Sequence, residues 1–182
     1  MWFYLGIVII ILILIYILVI FNSLVRLKNM VNEAFATMDV YLKKRWDLIP
    51  NLVETVKGYA KHEKDTLESV IKLRNGVYEN MNQNDKIDQN ELLSSKISRL
   101  MLFAERYPDL KANKNFLDLS YQLTKVEDEI ANSRKYYNAV VKKLNIKIGM
   151  VPSNIVANMF NFKPSKMFEA NINERDNVKV EL

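Results

Sequence analysis

Five charged side chains, Arg45, Glu63, Arg74, Glu127 and Arg134, fall on or beside positions where the surrounding residues are apolar at helical spacing. Arg45 continues by four the stripe that ends in Met38 and Tyr41, and Glu63 fills the gap between Tyr59 and Thr66. Arg74 adjoins Leu73, Glu127 borders Val126, and Arg134 stands between Ile130 and Tyr137. Two chemistries fit such residues. At the edge of a stripe, a long charged side chain lays its stem on apolar surface and keeps its head in water. Inside a stripe, Glu and Arg must pair with one another, and a paired network fixes helix register more than it adds stability.

Other constellations fail on spacing. His62-Glu63 begins like a helical zinc-protease motif, but that motif needs a second His three residues after the Glu, where Thr66 stands. The Glu-x-x-His pairs of a di-metal bundle are absent, as is any Gly-rich phosphate loop. With no Cys there is no thiolate nucleophile, disulfide or Cys-based zinc site, which fits a reducing compartment. Tyr136-Tyr137-Asn138 reads as core at helical spacing. No catalytic, cofactor or metal residue is therefore assigned, and the chain is read as a non-enzyme.

The elements that position the five charges are helices. A chain of 182 residues with 4 Gly and 4 Pro has little material for tight turns, whereas Leu, Lys, Glu, Ala and Met abound. Residues 1–25 carry no charged side chain, and as a helix they would be roughly 37 Å long, enough to cross a ~30 Å hydrocarbon layer. A cleaved signal peptide would need a basic start and a small-x-small site, and neither is present. Arg26 and Lys28 follow the span directly, with Lys43, Lys44 and Arg45 not far beyond. The positive-inside rule then expects a single-pass protein of the inner (cytoplasmic) membrane, its short N-terminus outside and its bulk in the cytoplasm. Trp2, Phe3 and Tyr4 suit the outer interface.

Residues 26–149 read as one antiparallel up-down four-helix bundle, and residues 150–182 as a tail. Leu27, Val31, Ala34, Met38 and Tyr41 form a heptad-like, coiled-coil-type stripe that extends the anchor helix to about Trp46. Asp47 as N-cap and Pro50 in a first turn predict a reversal there. The second stripe runs from Leu52 to Val77 and the polar stretch Glu79 to Asn90 is expected to be a surface loop. The third helix, Leu93 to Tyr107, stops at Pro108, and Asn113 or Asn115 starts the fourth, which ends at Gly149 before Pro152. Short connections make neighbours antiparallel.

The net charge of +5, spread over 26 basic and 21 acidic residues, suits a solvated surface with some attraction to anionic lipid and argues against nucleic acid. The tail from Met150 to Phe168 mixes Val151, Ile155, Val156, Met159, Phe160, Phe162 and Phe168 with Lys163 and Lys166, a pattern for either packing on the bundle or lying in a membrane interface.

The run Asp39 to Ala60, with Tyr41, Arg45, Trp46, Pro50, Asn51, Glu54, Gly58 and Tyr59 in it, resembles the bacterial LemA family. Glu63, Arg74 and Asn75 extend the likeness, as do Glu127, Ile130, Arg134, Tyr137-Asn138, Val141, Asn145 and Pro152-Ser153-Asn154. The family's usual Phe before Pro152 is Val151 here. The resemblance implies one N-terminal transmembrane helix, a soluble four-helix bundle and no established biochemical activity. The expected partners are the lipid bilayer and a protein, another copy of this chain or one the sequence does not identify. The leading expectation is a membrane-tethered interaction or scaffold protein. Its rival is a lipid-binding or membrane-remodelling oligomer; a hydrolase would rest on His62 alone.

Overall fold

The computed structural model describes residues 1–59 and 78–168, leaving aside the side chains of Glu79 and Phe103. Glu63, Arg74 and the second stripe beyond Tyr59 lie outside the described residues. Within them the chain is all-helical: α1 spans Trp2–Lys57, a 3-10 turn Tyr78–Asn80, α2 Gln83–Ala104, α3 Pro108–Lys111, α4 Lys114–Gly149 and α5 Ser153–Met159.

α1 does not reverse at Asp47. It runs on through Pro50 for a further two turns. A proline inside a helix removes one hydrogen bond and costs about 3 kcal/mol. Against that, Ile49, Leu52, Val53 and Val56 continue the buried stripe of Met38, Leu42 and Trp46 without a phase break, and each such burial contributes about 1.5–3 kcal/mol. Packing outweighs the breaker. The helix ends where Tyr59 N–H donates to the Val56 carbonyl at 3.0 Å.

The polar stretch after Glu79 is not a loop beyond its first residues. Asn82 caps α2, its Oδ1 accepting from the N–H of Asn84 and of Asp85 at 3.0 Å each, while its Nδ2 donates to Asp85 Oδ2. Ile87 and Asn90 are buried, so the apolar face of α2 begins two turns before Leu93. Asn113 starts α4 with a 3.1 Å bond from the Phe116 N–H to its side chain, and Pro108 opens α3 at its first turn.

The described residues divide into two compact units, one of residues 1–36 and 134–167, the other of residues 37–59, 78–133 and Phe168. In the first, α1 is bare through Val19 and burial begins at Ile20, continuing through Leu24 and Val31. Tyr137, Val141 and Leu144 of α4 are buried in the same unit, and Phe35 meets Tyr137 edge to face at 5.8 Å. A Val151-Pro152 cis peptide leads into α5, and Asn161 takes the left-handed conformation (φ 56°) that ends it. The tail then lies back on α4: Asn145 Nδ2 donates to the Ser165 carbonyl, the Ser165 N–H donates to Asn145 Oδ1, both at 2.9 Å, and Tyr137 OH donates to the Lys166 carbonyl at 2.8 Å. The second unit holds the buried faces of the lower half of α1, of α2 and of the first half of α4, with Ile87, Leu93, Leu100, Leu123, Val126 and Ile130 among them.

Candidate functional site

The second unit contains a polar centre inside an apolar surround. Arg45 sits between Leu42 and Ile49 on the inward face of α1 and is wholly buried. Its Nη2 donates to the carbonyl and to Oδ1 of Asn90 at 2.9 and 2.8 Å. Its Nη1 donates to Ser94 Oγ at 2.7 Å and to both carboxylate oxygens of Glu127 at 2.8 and 3.1 Å. Asn90 and Ser94 stand one turn apart on α2, so both face the guanidinium, and Glu127 comes from α4 between Val126 and Ile130. One planar cation thereby ties three helices together, its acceptors placed by the backbone of each.

The centre is held rigidly. Asn90 is itself buried and donates from Nδ2 to the Lys86 carbonyl at 2.8 Å, and Ser94 Oγ donates to the Asn90 carbonyl at 3.1 Å. The Glu127 side chain keeps 36% of its surface exposed, so the pair is dry at the cation and wet at the anion.

One or two turns earlier on α1, Asp39 organises a second group. Its Oδ1 accepts from Tyr78 OH and its Oδ2 from Lys86 Nζ, each at 2.6 Å. The ammonium also lies 4.7 Å from the centre of the Tyr78 ring, which packs against Trp46 at 5.3 Å. Burial, above all, and then the hydrogen bond to Asp39 and its negative charge hold the Tyr78 phenol far above its ordinary range. Tyr78 is therefore a donor at every physiological pH.

Of the five charges marked in the sequence, Arg45 and Glu127 meet as an internal pair. Arg134 is half-buried in the first unit, and Glu63 and Arg74 fall outside the described residues. Asn90, Ser94, Asp39, Tyr78 and Lys86 carry the rest of the two clusters and were not singled out by sequence. The signal for Asn90 is present: Ile87, Asn90, Leu93, Ile97 and Leu100 keep one helical spacing across the stretch read as a loop.

Asn51, Glu54 and Thr55 of α1, with Tyr59 just beyond its end, face Asn113, Asn115, Asp118 and Leu119 near the start of α4 across an open, polar cleft of about 520 Å³. Asn113 Nδ2 donates to Tyr59 OH there at 2.9 Å. Among the described residues no three His, Cys, Asp or Glu side chains gather in a way that would hold a metal ion. The described arrangement is a charge-assisted hydrogen-bond network and not a nucleophile beside a base.

The LemA family model matches residues 34–182, which takes in Arg45, Asn90, Glu127 and the α5 tail. The chain belongs to the LemA family. Protein LemA of Metamycoplasma hominis is 27% identical over 158 residues, covering 86% of this chain and 72% of its own. Magnetosome proteins MamQ 1 and MamQ 2 of Paramagnetospirillum magneticum are each 33% identical over 73 residues, 40% of this chain and 27% of theirs. LemA proteins are not known as enzymes, and the family carries no established biochemical function.

Proposed function

We propose that this LemA protein is a membrane-tethered, non-enzymatic interaction protein of the inner (cytoplasmic) membrane. In this reading α1 crosses once, the short N-terminus lies outside, and an antiparallel up-down four-helix bundle in the cytoplasm presents a surface to a protein partner. The observation that carries the reading is the pairing of two opposites along one helix. Residues 2–19 of α1 are apolar and bare, whereas both Nη groups of Arg45 further along donate to acceptors on two other helices. A body whose helices are tied together from within is suited to presenting a fixed surface.

Leu117 and Tyr121, one turn apart on α4, are exposed apolar residues on which a partner could settle, and Lys125 lies over the Tyr121 ring at 4.5 Å. A photo-reactive residue at position 121, irradiated in native membranes, should give a discrete protein adduct. Recovery of uncrosslinked protein alone from positions 117 and 121 would count against a protein-facing role for this face.

A second reading, lipid binding, is favoured by the exposed apolar residues of α5, whose basic surroundings are unlike the rest of the chain.

A further inference from the structure

The first unit, residues 1–36 and 134–167, holds nine Lys and Arg against a single acid, Glu33. That is a balance of +8 where the whole chain has +5, so the remainder is net acidic. No acidic residue occurs between Arg134 and Met167. The segregation follows neither helix nor sequence order, because this unit gathers two distant stretches of the chain. What the two stretches share is their place beside the bare helix.

That place can be fixed by length. α1 is unburied from Trp2 to Val19, about 27 Å of helix, which nearly matches a ~30 Å hydrocarbon layer. Protein packing begins at Ile20, and at that level Phe21 meets Phe160 at 4.6 Å and Phe162 at 5.9 Å. These rings therefore stand where the hydrocarbon gives way to headgroups, the layer in which aromatic side chains are enriched.

α5 ends at this level with its outer face apolar. Val156 and Ala157 point inward and are buried, while Ile155 and Met159, one turn apart, are 65% and 58% exposed, and Val151, just ahead of the helix, is 75% exposed. Phe160 is nearly half exposed as well. Lys142, Lys143 and Lys163 are exposed in the same unit, and Lys147 is half-buried in the last turn of α4. An apolar helix face among lysines is the composition of an interfacial anchor on anionic lipid.

We propose that α5 is a second membrane contact: its Ile155–Met159 face, with Val151 ahead of it, inserts into the headgroup boundary of an anionic bilayer next to the exit of α1, with Lys143, Lys147 and Lys163 on the lipid phosphates. This rests on the reading of α1 as a membrane span. It adds a second point of attachment, so that the membrane-side unit lies on the bilayer instead of hanging from one helix.

The chain has no cysteine, so single labels can be placed at will. Full-length protein bearing an environment-sensitive fluorophore at Ile155→Cys is reconstituted into vesicles of phosphatidylcholine with or without phosphatidylglycerol. Leu12→Cys serves as a control inside the span and Tyr121→Cys as an exposed site in the other unit. The position-155 label should shift to the blue and be quenched by a lipid-borne quencher in the anionic vesicles. Replacing Lys143, Lys147 and Lys163 by Gln should lower its docked-to-undocked ratio by roughly a hundredfold, about fivefold per lysine. A position-155 label as wet as that at 121, while the label at 12 is lipid-quenched, overturns the proposal and leaves the span intact. A wet label at position 12 overturns the span and the proposal with it. A dry but unquenched label at 155 assigns the face to protein and also overturns it.

Discussion

Nη1 of Arg45 reaches both oxygens of Glu127, at 2.8 and 3.1 Å, although the two residues are 82 positions apart in the chain. Arg45 is fully buried and the Glu127 side chain is about one-third exposed, so the two halves of the pair are not equivalent. Removing the anion leaves a buried cation with neutral acceptors. Removing the cation leaves a carboxylate that water can reach, but also strips Asn90 and Ser94 of their donor.

Arg45→Ala should therefore destabilise by about 3–5 kcal/mol, through the cavity and the orphaned acceptors together. Glu127→Gln should cost less, on the order of 1–3 kcal/mol, because an amide oxygen still accepts from Nη1. Lys43→Ala, which breaks an exposed pair with Asp47 at 3.7 Å, should cost under about 1 kcal/mol. Thermal melts of the full chain in mild detergent test this order, and equal effects at positions 43 and 45 would remove the buried pair from the account.

Tyr78 gives a pH signature. Its phenol is raised in the folded protein by burial and by Asp39, so the neutral form is the one the fold favours. The stability this contributes is fully present below the unfolded phenol value of about 10 and is lost as pH rises beyond it. Alkaline melts should steepen above about pH 10 in the native chain. Tyr78→Phe should flatten that dependence while lowering stability near neutrality by about 1 kcal/mol, the worth of one hydrogen bond. An alkaline limb unchanged by the substitution would show that another group sets it.

Pro50 interrupts the hydrogen bonding of a helix that continues to Lys57. Pro50→Ala restores the missing N–H inside a helix already held by packing, and it should stabilise the protein by about 1–2 kcal/mol after the gain in unfolded-chain entropy is subtracted. Were a new helix starting at Asp47, as the residue types suggest, the same change would be neutral or harmful. Melts of the single variant separate the two geometries.

The tail should be released by one substitution. Asn145→Ala removes both bonds to Ser165, and amide exchange across residues 162–167 should accelerate by at least tenfold while α4 stays protected. Unchanged exchange there would mean that the aromatic contacts of Phe160 and Phe162 suffice.

The sequence makes some of this plain and hides the rest for physical reasons. Asn113, Pro108 and Gly149 announce helix boundaries because capping is local chemistry, readable from one residue and its neighbours. Arg45 and Glu127 show themselves as charges on or beside apolar stripes. Pro50 misleads because a local breaker competes with a stripe whose value is realised only on packing. Asn90 misleads because its amide is polar by composition and interior by position, and its partner Arg45 comes from another helix. Tyr78 and Asp39, 39 residues apart, have no local mark at all.

On the proposed reading of α1 as a membrane span, the abrupt onset of burial at Ile20 bears on how that span would behave among lipids. Between Trp2 and Val19 the one small residue is Gly6, and a Cβ placed on it would meet nothing within 4 Å. Helices associate in bilayers through seams of small residues that let backbones approach, and this surface of Ile, Leu and Val has no such seam. Self-association would have to arise outside the hydrocarbon. With a bare length near 27 Å, such a span would instead answer to thickness. It fits the thinner end of the range of natural bilayers, and each ångström of mismatch costs a fraction of a kcal/mol, so the protein is expected to collect where the membrane is thin.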